Sequence, residues 1–112
     1  PVQATQVLCQ HGDKARVFDD IAYGSYLIWA CPTVPVFMDT RFELYPDEMW
    51  QDYLLIIRAQ FGWEDALAKY GIDTIFVRKD QEQMLVAAAK ASDEWQTVYE
   101  NKHTIILQRV VQ

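Results

Sequence analysis

Short apolar runs bounded by proline, glycine or charged residues recur along the chain. Residues 15–18, 34–38 and 74–77 are predicted to form strands. The run at 34–38 is apolar on both faces, which is typical of an interior parallel strand. Two more segments, 95–99 and 104–107, are separated by four polar residues and predict a C-terminal β-hairpin.

Between these strands, apolar residues recur at the three- and four-residue spacing of an amphipathic helix. The spacing predicts helices at residues 21–30, 46–60, 63–70 and 81–91. Pro46 followed by two acids is typical of a helix start, and Gly71 is typical of a helix end. We expect one apolar face to run along the second helix and just beyond it, formed by Trp50, Tyr53, Leu54, Ile57 and Phe61.

The order of the elements predicts the fold class. Strands that alternate with helices imply right-handed crossovers and parallel pairing. We therefore expect a small α/β fold with a mainly parallel sheet, helical crossovers and a C-terminal antiparallel hairpin. The 112 residues are enough for one core and too few for two. Residues 1–112 are thus expected to form a single soluble domain.

The charge of the chain restricts its partners. The formal net charge is -6 and the pI about 4.7, and the basic residues are scattered rather than clustered. Nucleic-acid binding is excluded on this ground, because neutralising phosphates requires a basic surface. No window reaches the roughly 18 apolar residues of a membrane span.

Polar side chains follow three of the predicted strands. Asp19 follows the first, Asp39 and Arg41 the second, and Lys79 the third. If the strands are parallel, these groups meet at one edge of the sheet, where ligands of α/β folds usually bind. The competing interpretation gives Asp39 and Arg41 a structural ion pair and makes Asp19 or Asp20 a helix cap.

The sequence predicts no catalytic residue, no metal site and no cofactor. Neither histidine has the spacing of a metal ligand, and no serine lies in a nucleophile elbow. Cys9 and Cys31 are expected to be unbonded rather than bonded, because disulfides are rare outside oxidising compartments.

Aromatic residues are dense, and we expect them to pack in the core because they bury large areas. A surface that faces sugar or lipid is the alternative. The aromatic residues that we single out as structural are Trp29, Tyr45, Trp63 and Trp95.

Several short motifs, in a fixed order, resemble a known family. The first half of the chain supplies Val17-Phe18-Asp19, Gly24, Tyr26-Leu27-Ile28-Trp29, Pro32, Phe37, Asp39, Arg41 and Tyr45. The second half supplies Gly62-Trp63, Leu67, Tyr70, Ile72-Asp73, Trp95, Val98-Tyr99, Asn101 and Arg109. Together they resemble the soluble extracytoplasmic C-terminal domain of bacterial polytopic membrane proteins similar to dolichyl-phosphate-mannose-type, lipid-linked-sugar glycosyltransferases. Ser25 and Thr40 depart from the family, which commonly has glycine there.

The resemblance implies a fragment of a longer membrane protein, on the extracytoplasmic face of the bacterial membrane. In such proteins the transfer chemistry is expected from acidic residues in loops between membrane helices. The domain itself would then be a non-catalytic accessory domain. The implied partners are the membrane-spanning part of the same chain and a lipid-linked sugar or glycan acceptor.

Two other functions remain open at this stage. The first is a small ligand-binding or enzymatic α/β domain that acts on sugar phosphates through Asp19, Asp39, Arg41 and Lys79. The second is a soluble protein–protein interaction module with an exposed aromatic patch.

Overall fold

The computed structural model describes Gln6, Cys9 and residues 17–19 and 46–110. The predicted helix at 21–30 and the predicted strand at 34–38 lie outside these residues. Every element predicted from residue 46 onward is confirmed in type. The elements are β1 (Val17–Asp19), α1 (Asp47–Ile57), α2 (Trp63–Lys69), β2 (Thr74–Arg78), α3 (Gln83–Ala91), β3 (Trp95–Glu100) and β4 (Thr104–Arg109).

The four described strands form one sheet in the order β1-β2-β4-β3. The β1–β2 pair is parallel, and Asp19 lies opposite Phe76. Both pairs made by β4 are antiparallel, and β3 carries a bulge between Thr97 and Tyr99. The mixed α/β class is confirmed, but the prediction of a mainly parallel sheet is not borne out for these strands.

The position of β4 explains this difference. Residues 104–107 of β4 are fully or almost fully buried, whereas β3 is largely exposed. The more apolar strand of the hairpin, β4, therefore lies inside the sheet, and it pairs with β2 along one side. The sequence predicts that the hairpin adds an antiparallel edge to a parallel sheet, and it does not indicate that β4 pairs with β2.

The three helices described between residues 47 and 91 contribute to a core that also contains one face of the sheet. That face carries Ile75, Val77, Ile105 and Leu107, which belong to a single buried cluster. The Phe18 and Tyr53 rings stack at 5.6 Å and join β1 to α1. Each fully buried side chain of this size contributes about 1.5–3 kcal/mol of hydrophobic free energy. Phe76 and Ile106 are also buried, so β2 and β4 have no solvent-facing side at their centres.

The helix α1 ends earlier than predicted, at Ile57 rather than at residue 60. The Gln60 N–H donates to the Leu55 carbonyl at 3.1 Å, and the Ala59 N–H donates to the Ile56 carbonyl at 3.0 Å. This pair of bonds is a Schellman ending, in which Ala59 occupies the left-handed position with φ 49°. Glycine is the usual residue there, because a Cβ atom is strained in this conformation.

The early end of α1 changes its apolar face. Tyr53 and Ile56 are buried, Trp50 and Ile57 are half-buried, and Leu54 is exposed. Phe61 lies beyond the helix and is fully exposed, so its predicted place on this face is wrong. By contrast, Gly71 is confirmed as the residue that ends α2. It has φ 66°, and its N–H donates to the Ala68 carbonyl at 3.0 Å.

Polar contacts hold α1 and α2 together at the surface. The Tyr70 hydroxyl donates to Asp52 Oδ2 at 2.5 Å, and the Lys69 ammonium donates to the same oxygen at 2.9 Å. Lys69 also pairs with Glu48. The hydrogen bond from Tyr70 holds the pKa of Asp52 below its usual value. Burial and the bond to Asp52 raise the pKa of Tyr70 to about 12.

Length and polarity show that no helix within the described part of the chain could cross a membrane.

The strained turn after α1 generates a prediction. We expect Ala59→Gly to raise the free energy of unfolding by about 0.5–1 kcal/mol, because relief of the left-handed strain exceeds the added entropy of the unfolded chain. Gly62 has φ 92° and open space around its Cβ position. The control Gly62→Ala should therefore destabilise by about 1 kcal/mol through backbone strain alone. Urea unfolding measures both, and a destabilised Ala59→Gly variant would contradict the assigned backbone.

Candidate functional site

Two of the predicted ligand-binding residues lie at the same end of the sheet. Asp19 is the last residue of β1 and is completely buried. Lys79 follows the last residue of β2 directly. Because β1 and β2 are parallel, the carboxyl ends of the two strands lie at the same edge of the sheet. Asp39 and Arg41 lie outside the described residues.

The contacts of Lys79 point away from β1. Its ammonium pairs with Glu100 Oε2 at 2.6 Å and donates to the Asn101 carbonyl at 3.0 Å. Lys90 of α3 contacts the same carboxylate oxygen at 3.0 Å. The hydrogen bond from Lys79, followed by that from Lys90, lowers the pKa of Glu100. Lys79 therefore connects β2 to the hairpin, on the side of β2 opposite to β1, and Glu100 in turn contacts Lys90 of α3.

Asn101 orders the hairpin turn beside this ion pair. Its Oδ1 accepts hydrogen bonds from the His103 N–H at 2.9 Å and from the Thr104 N–H at 2.8 Å. Its own N–H donates to the Thr104 carbonyl at 2.9 Å. An asparagine that bonds to the backbone two and three residues ahead favours a tight turn. The turn fixes Glu100 next to Lys79.

Two of the four aromatic residues singled out from the sequence are described, and Trp29 and Tyr45 lie outside the described residues. Trp95 is buried in the core cluster, and the Arg109 guanidinium lies 5.2 Å from the centre of its ring. This distance is within the range of a cation–π contact. Trp63 is half-buried and packs against the same cluster.

A second polar cluster lies at the other end of the sheet. Glu64 belongs to the first turn of α2, and Glu94 directly precedes β3. The Glu94 N–H donates to Ser92 Oγ at 3.2 Å, and Glu94 and Ser92 both act on the pKa of the Glu64 carboxyl. Arg109 lies opposite Trp95 in the β3–β4 pair and acts electrostatically on Glu64. The cluster thus joins α2, β3 and β4 through side chains that are distant in sequence.

The pKa of Glu64 is raised above its usual value. The first cause is the neighbouring Glu94 carboxyl, which opposes a second negative charge, and burial adds to it. Ser92 and Arg109 act in the opposite direction and favour the charged form.

An open cavity of about 370 Å³ lies beside this cluster, at the connection between α1 and α2. We call it the Phe61 pocket. Its lining consists of the seven residues 59–65. Two left-handed residues, Ala59 and Gly62, flank the segment that carries Phe61. The pocket combines two aromatic rings, Phe61 and Trp63, with the carboxyl-bearing residues Glu64 and Asp65.

These groups define what the described part of the chain can do. Over residues 17–19 and 46–110, with Gln6 and Cys9, no three histidine, cysteine or acidic side chains are grouped so that they could hold a metal ion. Lys79 and Lys69, two basic residues of the described part of the chain, are held in ion pairs that join secondary-structure elements. The chemistry that the Phe61 pocket offers is recognition by aromatic and acidic groups.

Comparisons of the chain with family models, with curated proteins and with solved structures find no match.

The sequence does not predict the effect of Glu94 on Glu64 or the Phe61 pocket. Glu64 and Glu94 are thirty positions apart in the sequence, and no local pattern signals that they act on each other. A weak signal for the pocket was present, since Gly62 interrupts the helical spacing directly after Phe61.

The raised pKa of Glu64 predicts how stability depends on pH. Because the pKa of Glu64 is raised on folding, its contribution is present below the unfolded value near 4.5 and is lost as the pH rises through the folded value. We therefore expect Glu64→Gln to gain stability relative to the parent chain between pH 4 and pH 7. Urea unfolding at both pH values measures this difference. Asp65→Asn removes a charge from the next position and controls for charge alone; an equal gain there would contradict a specific effect of Glu94 on Glu64.

Proposed function

We propose that this chain is a non-catalytic accessory domain on the extracytoplasmic face of a bacterial membrane protein that resembles lipid-linked-sugar glycosyltransferases. The observation that carries the proposal is the state of Cys9. This cysteine is disulfide-bonded, contrary to the expectation from the sequence, while Cys31 lies outside the described residues. Disulfides form and persist mainly in oxidising compartments such as the bacterial periplasm and the cell surface.

The arrangement of polar groups supports an accessory role. Lys79, which a sugar-phosphate site at the strand ends would need, is held by Glu100 and by the Asn101 carbonyl. A phosphate group would have to compete with that carboxylate for the ammonium. The described polar clusters join helices to strands and so favour a rigid module. In the proposed setting, its partners are the membrane-spanning part of the same chain and a lipid-linked sugar or glycan acceptor.

The redox state and location of Cys9 can be tested together in intact cells. The natural full-length protein is expressed from its own gene and treated with a membrane-impermeant maleimide, with or without an impermeant phosphine reductant. We expect modification in intact cells only after reduction, because the thiol is oxidised and faces the oxidising side. Gel mobility measures the modification.

A variant with both Cys9→Ser and Cys31→Ser shows how much labelling comes from the rest of the protein. Modification that appears only after lysis would place the domain on the cytoplasmic side and overturn the proposal. Modification in intact cells without reductant would show that Cys9 is a free thiol. The observation on which the proposal rests would then be lost.

A further inference from the structure

Phe61 is the most exposed large apolar residue in the part of the chain that the structure describes. Its relative exposure is 102%, compared with 59% for Met84 and 37% for Leu54. Single exposed apolar residues are common on protein surfaces and need no explanation by themselves. Phe61 differs because it stands at a cavity, next to the half-buried ring of Trp63.

The backbone holds Phe61 in this position. The Schellman ending of α1 fixes the chain before it, and the Trp63 N–H donates to the Gln60 carbonyl at 3.0 Å across it. Gly62 then enters α2 in a left-handed conformation. The aromatic ring is therefore presented by a short turn anchored at both ends, so a partner would order little additional chain on binding.

The charge around the pocket is acidic. Glu64 and Asp65 line it, and no basic residue is among its lining residues. The pKa of Glu64 is raised, so Asp65 is the carboxyl group that a cation would meet. Arg109 acts on Glu64, but its guanidinium lies over Trp95. The whole chain carries a net charge of -6, which attracts cationic partners over longer distances.

We infer that the Phe61 pocket is a docking site for a polypeptide segment that presents an arginine or lysine beside an apolar side chain. The cation lies near the Phe61 and Trp63 rings and the Asp65 carboxylate, a combination that favours guanidinium and ammonium groups. The apolar neighbour covers the exposed surface of Phe61. This inference does not depend on the location proposed for the domain.

The test uses the 112-residue chain and short acetylated, amidated peptides of alternating leucine and arginine. We expect amide chemical shifts to change in residues 59–65, with binding that weakens as salt is added. A matched peptide with glutamine in place of arginine should bind about tenfold more weakly, because it lacks the charge. Equal binding of the glutamine peptide, or shifts centred elsewhere, would overturn the inference.

Three variants sharpen the test. Phe61→Ala should weaken binding about tenfold and leave the melting temperature unchanged, because the ring is fully exposed. Asp65→Asn should weaken binding about threefold and flatten the salt dependence. Met84→Ala removes another exposed apolar side chain and should change nothing. An unaltered affinity for Phe61→Ala would contradict the proposed site.

A lipid surface is the competing occupant for an exposed phenylalanine, and vesicles of neutral phosphatidylcholine distinguish it. We expect the chain to remain in the supernatant when these vesicles are sedimented, because an acidic pocket is costly to bring against hydrocarbon. Sedimentation with vesicles that is lost in Phe61→Ala would assign the surface to lipid and overturn the inference.

Discussion

The pairing of β4 with both β2 and β3 is the interaction on which the rest of the described structure depends. The central residues of β4 are buried on both faces, so their backbone N–H and C=O groups must form hydrogen bonds with the two neighbouring strands. This pairing positions the polar clusters at both ends of the sheet. At one end it places Glu100 beside Lys79, and at the other it places Arg109 over Trp95. The sheet order thus decides which charges meet.

Much of the local structure could be predicted from the sequence, because its causes are local. Gly71 ends α2 since it accepts the left-handed conformation without strain, and Asn101 forms the hairpin turn since its side chain bonds to nearby backbone. The apolar runs identify β2 and β4 because both are buried on both faces. Each of these signals lies within a few residues of the feature that it specifies.

The remaining features depend on contacts between distant segments. The sheet order could not be predicted, because parallel and antiparallel neighbours of β2 bury the same apolar run. Glu94 raises the pKa of Glu64 only once α2 has packed beside the start of β3. Phe61 continues the helical spacing of α1, which predicts a position on its apolar face, but the helix ends at Ile57. The candidate pocket was missed for the same reason.

The bulge in β3 has a consequence for how copies of this chain meet. Among the described strands, β3 lies at an edge of the sheet, where unpaired backbone groups can recruit a strand from another molecule. The irregularity between Thr97 and Tyr99 interrupts the regular ladder and increases its local twist, and Glu100 adds a charge at the end of the strand. Both features disfavour a second copy adding its own edge there. Self-association through continuous β-sheet, the route toward fibrous aggregates, is thereby opposed at the most exposed strand.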